Sequence, residues 1–320
     1  MRLRSLLAAV GGLALLATGF SAPANAAAGS PIPVGPYVDM GAWPTPSLSA
    51  MSAASGVKGF TLAFVNSYGC KASWFGAYDP RTAWQQEEIA KIRSAGGDVK
   101  ISFGGASGIE LAQACSTSAQ VAAEYDAVVK AYGLKYADFD IEGAAIADPT
   151  TIARRSQALK TLQNNNPGLK ISLTLPVLPS GLTADGLNVV KSAKDAGVNV
   201  DLVNIMAMDY GRPADEYGQD AIKAIKSTQA QLKTALGLSD AAAFRILGVT
   251  PMLGENDDHG TFTIQDAKDV VAFANDNHLG YMGFWETNRD NNACTGALFQ
   301  CTNVQQTPFE FSKIFAGFTG

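Results

Sequence analysis

The stretch Tyr136-Ala137-Asp138-Phe139-Asp140-Ile141-Glu142-Gly143 decides how this chain reads. In a β-strand, side chains alternate between two faces. Ala137, Phe139 and Ile141 then share an apolar face, and Asp138, Asp140 and Glu142 share an acidic one. Three carboxyls side by side raise one another's proton affinity wherever water is scarce, so folding alone does not favour such a row. A solvated acidic edge and a metal-binding row are the alternatives to a site that handles protons.

Outward from that stretch, apolar β-branched runs alternate with amphipathic helical patterns. The runs are Tyr37–Met40, Gly59–Val65, Val99–Phe103, Tyr136–Ile141, Lys170–Leu175, Leu202–Met206, Arg245–Val249 and Tyr281–Trp285. The helical stretches between them carry start and stop signals. Asp79-Pro80 opens one with Trp84, Ile89 and Ile92 as its stripe. Ser116 or Thr117 opens the next, which Gly133 ends. Asp148-Pro149 sets a capping acid before a first-turn proline. Thr183 and Thr263 open two more, a helix is expected over Pro213–Leu236, and a terminal helix near Pro308–Phe315 is expected to cover the barrel bottom. Eight strand–helix units in one chain predict an α/β fold, a (β/α)8 TIM barrel in a single domain, with functional residues at the C-terminal ends of the strands. An open doubly wound sheet is the competing architecture, but no G-x-G-x-x-G follows the first run. Glu142, Asp209-Tyr210 and Trp285-Glu286 all fall where a barrel places functional groups.

The chain begins as a targeting segment: Arg2 and Arg4, an apolar run Leu6–Leu16, then Ala24-Asn25-Ala26 as a cleavage site, with Ala28 a competing cut. Residues 1–26 are thus expected to be removed, leaving 27–320 as the barrel domain of a secreted, extracellular protein. Arg2 and Arg4 leave with them, so 22 Lys and Arg face 29 Asp and Glu, a net charge of about −7. No basic run is present, which argues against nucleic acid as a partner. No membrane association and a monomer are expected. Cys70, Cys115, Cys294 and Cys301 allow three pairings. Cys70 with Cys115 and Cys294 with Cys301 is the pairing favoured here. With no C-x-x-C and only His259 and His278, neither a zinc or redox site nor any cofactor is expected.

A carboxyl at a barrel mouth, backed by two deeper ones, can hold a proton near neutral pH and deliver it. The row resembles the D-x-x-D-x-D-x-E signature of family 18 glycoside hydrolases, the chitinases and their relatives. It matches at Asp138, Asp140 and Glu142 and departs at the first position, which is Lys135. Ser102-Phe103-Gly104-Gly105 is similar to the family's S-x-G-G, Met206-Ala207-Met208-Asp209-Tyr210 to its M-x-Y-D, and Gly283-Phe284-Trp285 to its strand-eight tryptophan. The resemblance implies a retaining, substrate-assisted hydrolysis in which the substrate's 2-acetamido oxygen attacks the anomeric carbon, one of the exceptions to two-carboxylate glycosidases. It implies Glu142 as acid and then base, Asp140 as orienter of the acetamido group, Asp138 as proton partner and Trp285 as the floor beneath the sugar. The family tyrosine position holds Met208, so Tyr210, one residue past Asp209, is the expected substitute.

The substrate side of the expected site is Trp285, Asp209, Met206, Ser102, Trp43 and Phe64. Trp43 either stacks on a glycan or packs under its Trp43-Pro44 turn. Phe64 is either cleft or core. Trp74, Phe75 and Tyr78 either line the cleft or form an apolar patch held by Cys70. Glu286, Asn288, Arg289 and Asp290 read as a polar rim of loop structure, and His259 as a solvated loop residue. The expected partner is chitin or its N-acetylglucosamine oligosaccharides. Endo action is inferred from the short segment between the seventh and eighth runs, which leaves no room for an α+β insertion walling the cleft. An endo-β-N-acetylglucosaminidase acting on N-glycans and a non-catalytic chitin-binding lectin are the competing functions.

Overall fold

The computed structural model describes residues 32–211, 216–291 and 294–320. The expected leader lies outside the described residues, as does Pro213. Eight parallel strands run in chain order around one sheet: β1 (Tyr37–Asp39), β2 (Gly59–Ser67), β3 (Asp98–Gly104), β4 (Tyr136–Asp140), β5 (Lys170–Leu178), β6 (Val200–Met206), β7 (Leu247–Thr250) and β8 (Tyr281–Met282). The sheet closes on itself. Val34 bridges Met282, the Tyr37 amide donates to the Phe284 carbonyl at 3.0 Å, and the Thr287 amide donates to the Tyr37 carbonyl at 3.0 Å. All eight expected runs are strands of this TIM barrel. Boundaries move: the eighth run is a strand only over Tyr281–Met282, and Arg245 ends a short helix, Asp240–Arg245, which the Ser239 side chain caps, so that β7 starts at Leu247.

Alternation in β4 sets the layers. Phe139 faces outward, stacked 5.2 Å from Phe103 of β3 and 4.9 Å from Tyr125 on the helix Ser118–Tyr132. That helix starts where Thr117 and Gln120 form a reciprocal capping box and stops at Gly133, whose φ is 57°. Asp148 accepts from the Thr150 and Thr151 amides ahead of Pro149, and Thr183 and Thr263 cap their helices in the same way. On the inward face, Asp138 and Asp140 point into the barrel, 0 % and 3 % exposed.

Two expectations are corrected. The helix from Asp79 is broken. Asp79 caps only the 3₁₀ turn Pro80–Thr82, Ala83 and Gln85 take left-handed φ values of 53° and 65°, and an α-helix resumes at Gln86–Ser94. Trp84 therefore leaves the helical stripe and stacks on Tyr78 at 4.9 Å. The terminal helix is shorter, Glu310–Phe315, and packs Phe315 on Phe284 at 4.9 Å. Past it, Ala316 and Phe318 line a cavity with Gly59, Gly97 and Tyr136, at the end of the barrel where the strands begin.

The cysteines pair as Cys70–Cys115 and Cys294–Cys301, 45 and 7 residues apart. If cross-links act by restricting the unfolded chain, the longer loop stabilises more. Replacing Cys70 and Cys115 by alanine should lower unfolding free energy by about 4 kcal/mol, against about 2.5 kcal/mol for Cys294 and Cys301. Urea unfolding of the two double variants checks the order; equal losses would contradict it.

Candidate active site

Asp138 lies deepest in the row and is held by four hydroxyls. Tyr37 Oη and Ser102 Oγ donate to Oδ2 at 2.8 and 2.7 Å; Thr174 Oγ1 donates to Oδ1 at 2.9 Å, and Ser172 Oγ donates to the same oxygen. The donors come from β1, β3 and β5, so the carboxylate's acceptor sites are filled from three strands without water. Ser102 takes the place expected of it, beside Asp138.

Asp140 sits one layer higher, and its Oδ1 is buried with no hydrogen-bond partner. Burial first, then the charges of Glu142 and Asp138, push its carboxyl well above the usual carboxylate range. Glu142 follows just past the end of β4, partly exposed. Burial raises its carboxyl too, a hydrogen bond with Asp140 pulls it back, and Asp209 pushes it up again. The two carboxyls thus share a proton that solvent alone would remove near neutral pH.

Glycines bring β3 against this row. Gly104 has φ 106°, and a Cβ there would lie 2.0 Å from the Asp140 carbonyl oxygen; the Gly105 amide donates to that same oxygen at 3.2 Å. Only glycine fits this approach. The second glycine also faces Phe64, 2.7 Å from a built Cβ.

Above the row opens a cleft of about 450 Å³ lined by Asp140, Glu142, Tyr37, Phe64, Trp285 and Met206, and also by Met208, Asp209 and Asp257. Its floor is aromatic. Trp285 lies 5.6 Å from Phe64, nearly parallel, and 5.9 Å from Tyr37. Phe64 is a cleft residue because the β2–β3 register shifts between Leu62 and Val65; such an irregularity re-aims a side chain. The groove continues past Trp285 and Phe64 to Asp39, Asn66 and Phe75.

Other candidates are placed differently. Tyr210 is 8 % exposed, with its ring 5.3 Å from Tyr217, and is not among the residues lining the cleft, whereas Met208 is. Trp43 is 89 % exposed on the loop after β1 and is not among the residues lining the cleft. Trp74 is core: 1 % exposed, with its Nε1 donating to Tyr132 Oη at 2.8 Å. Of the expected polar rim after β8, Glu286, Arg289 and Asp290 are buried and Asn288 is half-buried. Glu286 accepts from the Asp39 and Asn288 amides, and burial holds its carboxyl up at about 8. Asp290 accepts from the Phe311 and Ser312 amides and so anchors the terminal helix. His259 stands on an exposed loop.

Sequence reasoning missed Asp257, whose amide donates to Asp209 Oδ1 at 2.8 Å. Burial raises the Asp209 carboxyl to about 6, the Asp257 amide pulling it down and the charges of Asp257 and Asp258 pushing it back up. Asp257 sits in an irregular loop, where alternation carries no signal. Ser172 and Thr174 were also missed, although they alternate on the inward face of the fifth run and were legible there. Among the described residues no cluster of His, Cys, Asp and Glu suits a metal ion.

No protein-family model matches the chain. It is 39 % identical over 308 residues to a probable bifunctional chitinase/lysozyme of Escherichia coli K12, covering 89 % of this chain and 34 % of that one. It is 38 % identical over 285 residues to endochitinase 11 of Metarhizium anisopliae, covering 83 % and 54 %. The chain therefore spans about a third and about half the length of the curated relatives it matches. The structure superposes with a TM-score of 0.83 and 33 % identity on catalytic-site mutants of active domain 2 of a thermostable chitinase from Pyrococcus furiosus, complexed with chito-oligosaccharides, covering 91 % of this chain and 96 % of that one.

A buried carboxyl that binds protons more tightly than in the unfolded chain makes stability fall as pH rises above its unfolded value. Asp140 is such a group. Asp140→Asn, which keeps an amide donor toward Glu142, should therefore melt above the wild type at pH 7. The gap should close toward pH 4, where the unfolded carboxyl is also protonated. Calorimetry across that range checks it, and a gap that widens on acidification would contradict the assignment.

Proposed function

This chain belongs to the family 18 glycoside hydrolases, and on that premise we propose that it is a secreted endo-acting chitinase, cutting β-1,4 bonds between N-acetylglucosamine units. The observation that carries the reading is the graded row. Asp138 is fixed in a hydroxyl cage, Asp140 is buried and raised, and Glu142 opens into an aromatic-floored cleft.

The chemistry follows from depth. The sugar at the cleavage point lies on Trp285, since aromatic faces and apolar sugar faces bury each other. Glu142 donates a proton to the glycosidic oxygen as the bond breaks. The substrate's acetamido oxygen closes on the anomeric carbon from the other face, so no protein nucleophile is used. Asp140 accepts the acetamido N–H and stabilises the positive charge of the ring so formed. Glu142, now a carboxylate, takes a proton from water, which opens the ring and gives net retention. Asp138, held in place, offers the alternative proton position when Asp140 turns toward the substrate.

Endo action is supported by the walls. Between β7 and β8 lie only the short hairpin of Gly254–Glu255 with Thr261–Phe262 and one helix, Ile264–Asp276. The groove runs on past Trp285, so a chain can lie across it. Export is supported by the leader-like residues 1–26 and by the two disulfides.

Glu142→Gln should lower kcat on chitin oligomers by about 10²–10⁴-fold with binding kept. Product analysis on long oligomers should show mixed lengths at the earliest times, and proton NMR should show the β-anomer first. Dimer alone from the start would sink endo action. Cleavage of a high-mannose glycoprotein with chitin untouched would move the substrate to N-glycans. Binding without any cleavage by the wild type would make the protein a lectin.

A further inference from the structure

Lys100 is a buried charge that this chemistry leaves unused. It stands on β3 two residues before Ser102, on the same inward face, and pairs with Thr61 of β2. Ser102 lies level with Asp138 across β3 and β4. Lys100 therefore occupies the layer beneath Asp138. It is 3 % exposed, and its Nζ lies 3.5 Å from the centroid of the Tyr281 ring. The Tyr281 hydroxyl is tied in turn to Thr61 Oγ1 and the Gly35 carbonyl. By contrast, the buried Arg155 meets its carboxylate directly, 3.1 Å from Glu110.

Burying an ammonium is costly unless something compensates it. Burial pulls Lys100 down to about 8, and the charge of Asp138 pushes it back up. Below that pH it stays a cation inside the barrel. The departure at Lys135 does not bring a second cation there, because Lys135 faces outward, 72 % exposed and 3.4 Å from Asp98. Around Asp138 and Lys100, β1 contributes Tyr37, β2 Thr61, β4 Asp140, β5 Ser172 and Thr174, and β8 Tyr281. The charges that bear on this layer are thus the acid row and Lys100 itself.

We propose that Lys100 is a positioning residue of the acid row: its ammonium, one layer below Asp138, supplies positive charge beneath the row and so holds down the proton affinity of Asp140 and Glu142. The kinetic part of this inference rests on the hydrolytic reading above. The sign is fixed by electrostatics. A cation favours the deprotonated form of every carboxyl near it, so its removal makes the row hold protons to higher pH.

In Lys100→Met both limbs of the kcat/KM pH profile on a chitin oligomer should move up by about one pH unit. Lys100→Arg should return them. A folded Lys100→Met enzyme with slower turnover but unmoved limbs overturns the proposal. Should Lys100→Met not fold, Lys100→Gln carries the same expectation. Nitrogen-15 NMR of the wild type tests the charge itself, since a neutral Lys100 amine at pH 6 also overturns the proposal. If the wild type hydrolyses nothing, the hydrolytic reading fails alone. Carboxyl carbon-13 titration of the row with and without Lys100 then still decides this one: unchanged midpoints refute it.

Discussion

A carboxylate sealed from water needs donors in place of the water it lost, and Asp138 finds them in four hydroxyls on three strands. The rest of the site depends on that cage. Because Asp138 is fixed and solvated by protein, Asp140 above it meets a settled negative charge from below and Glu142 from above. Its proton affinity rises, and the pair shares a proton where two ordinary carboxyls would have lost both. Burial supplies the largest part and like charge the next. A more open site would lose both at once, since water screens charge and rehydrates the carboxyls.

The barrel was legible because its signal repeats. Each strand is a short apolar run, each helix carries its own capping residue, and eight such units agree with one another. The caps at Thr117, Asp148, Thr183 and Thr263 all act where the sequence sets them. What failed is what depends on tertiary context. Trp84 fits a helical stripe by spacing, yet the Tyr78 ring draws it into an aromatic cluster and the helix begins two residues later. Glu286, Arg289 and Asp290 read as rim because charge usually means solvent, but each has backbone partners that allow burial.

Within the site, periodicity gave the acid row and Ser102, since both lie on regular strands. It left Phe64 open between cleft and core, and a register shift turns it into the cleft. Nor did it place Tyr210, which follows the strand end, where Asp209 has a left-handed φ of 47°. One such residue re-aims everything after it, so a motif offset by one position cannot be carried through by alignment. Asp257 was invisible for a related reason: it reaches the cleft from a loop, tied by its amide to Asp209.

The hydroxyl cage has a consequence for how the molecule is assembled. Tyr37, which bonds both Asp138 and Thr174, stands 101 and 137 residues before them in the chain. Those contacts form only when the first strand has found the middle of the sheet, which places the site among the late, non-local events of folding. A nascent chain in which the fourth strand is complete and the fifth has yet to emerge carries Asp138 without Ser172 and Thr174. It must keep that carboxyl wet. The site therefore resists division: a split or permuted gene that separates the first strand from the fourth leaves the central acid short of a donor until the pieces reassociate. Halves of this barrel are poor starting points for independent modules, however regular the repeat that built them.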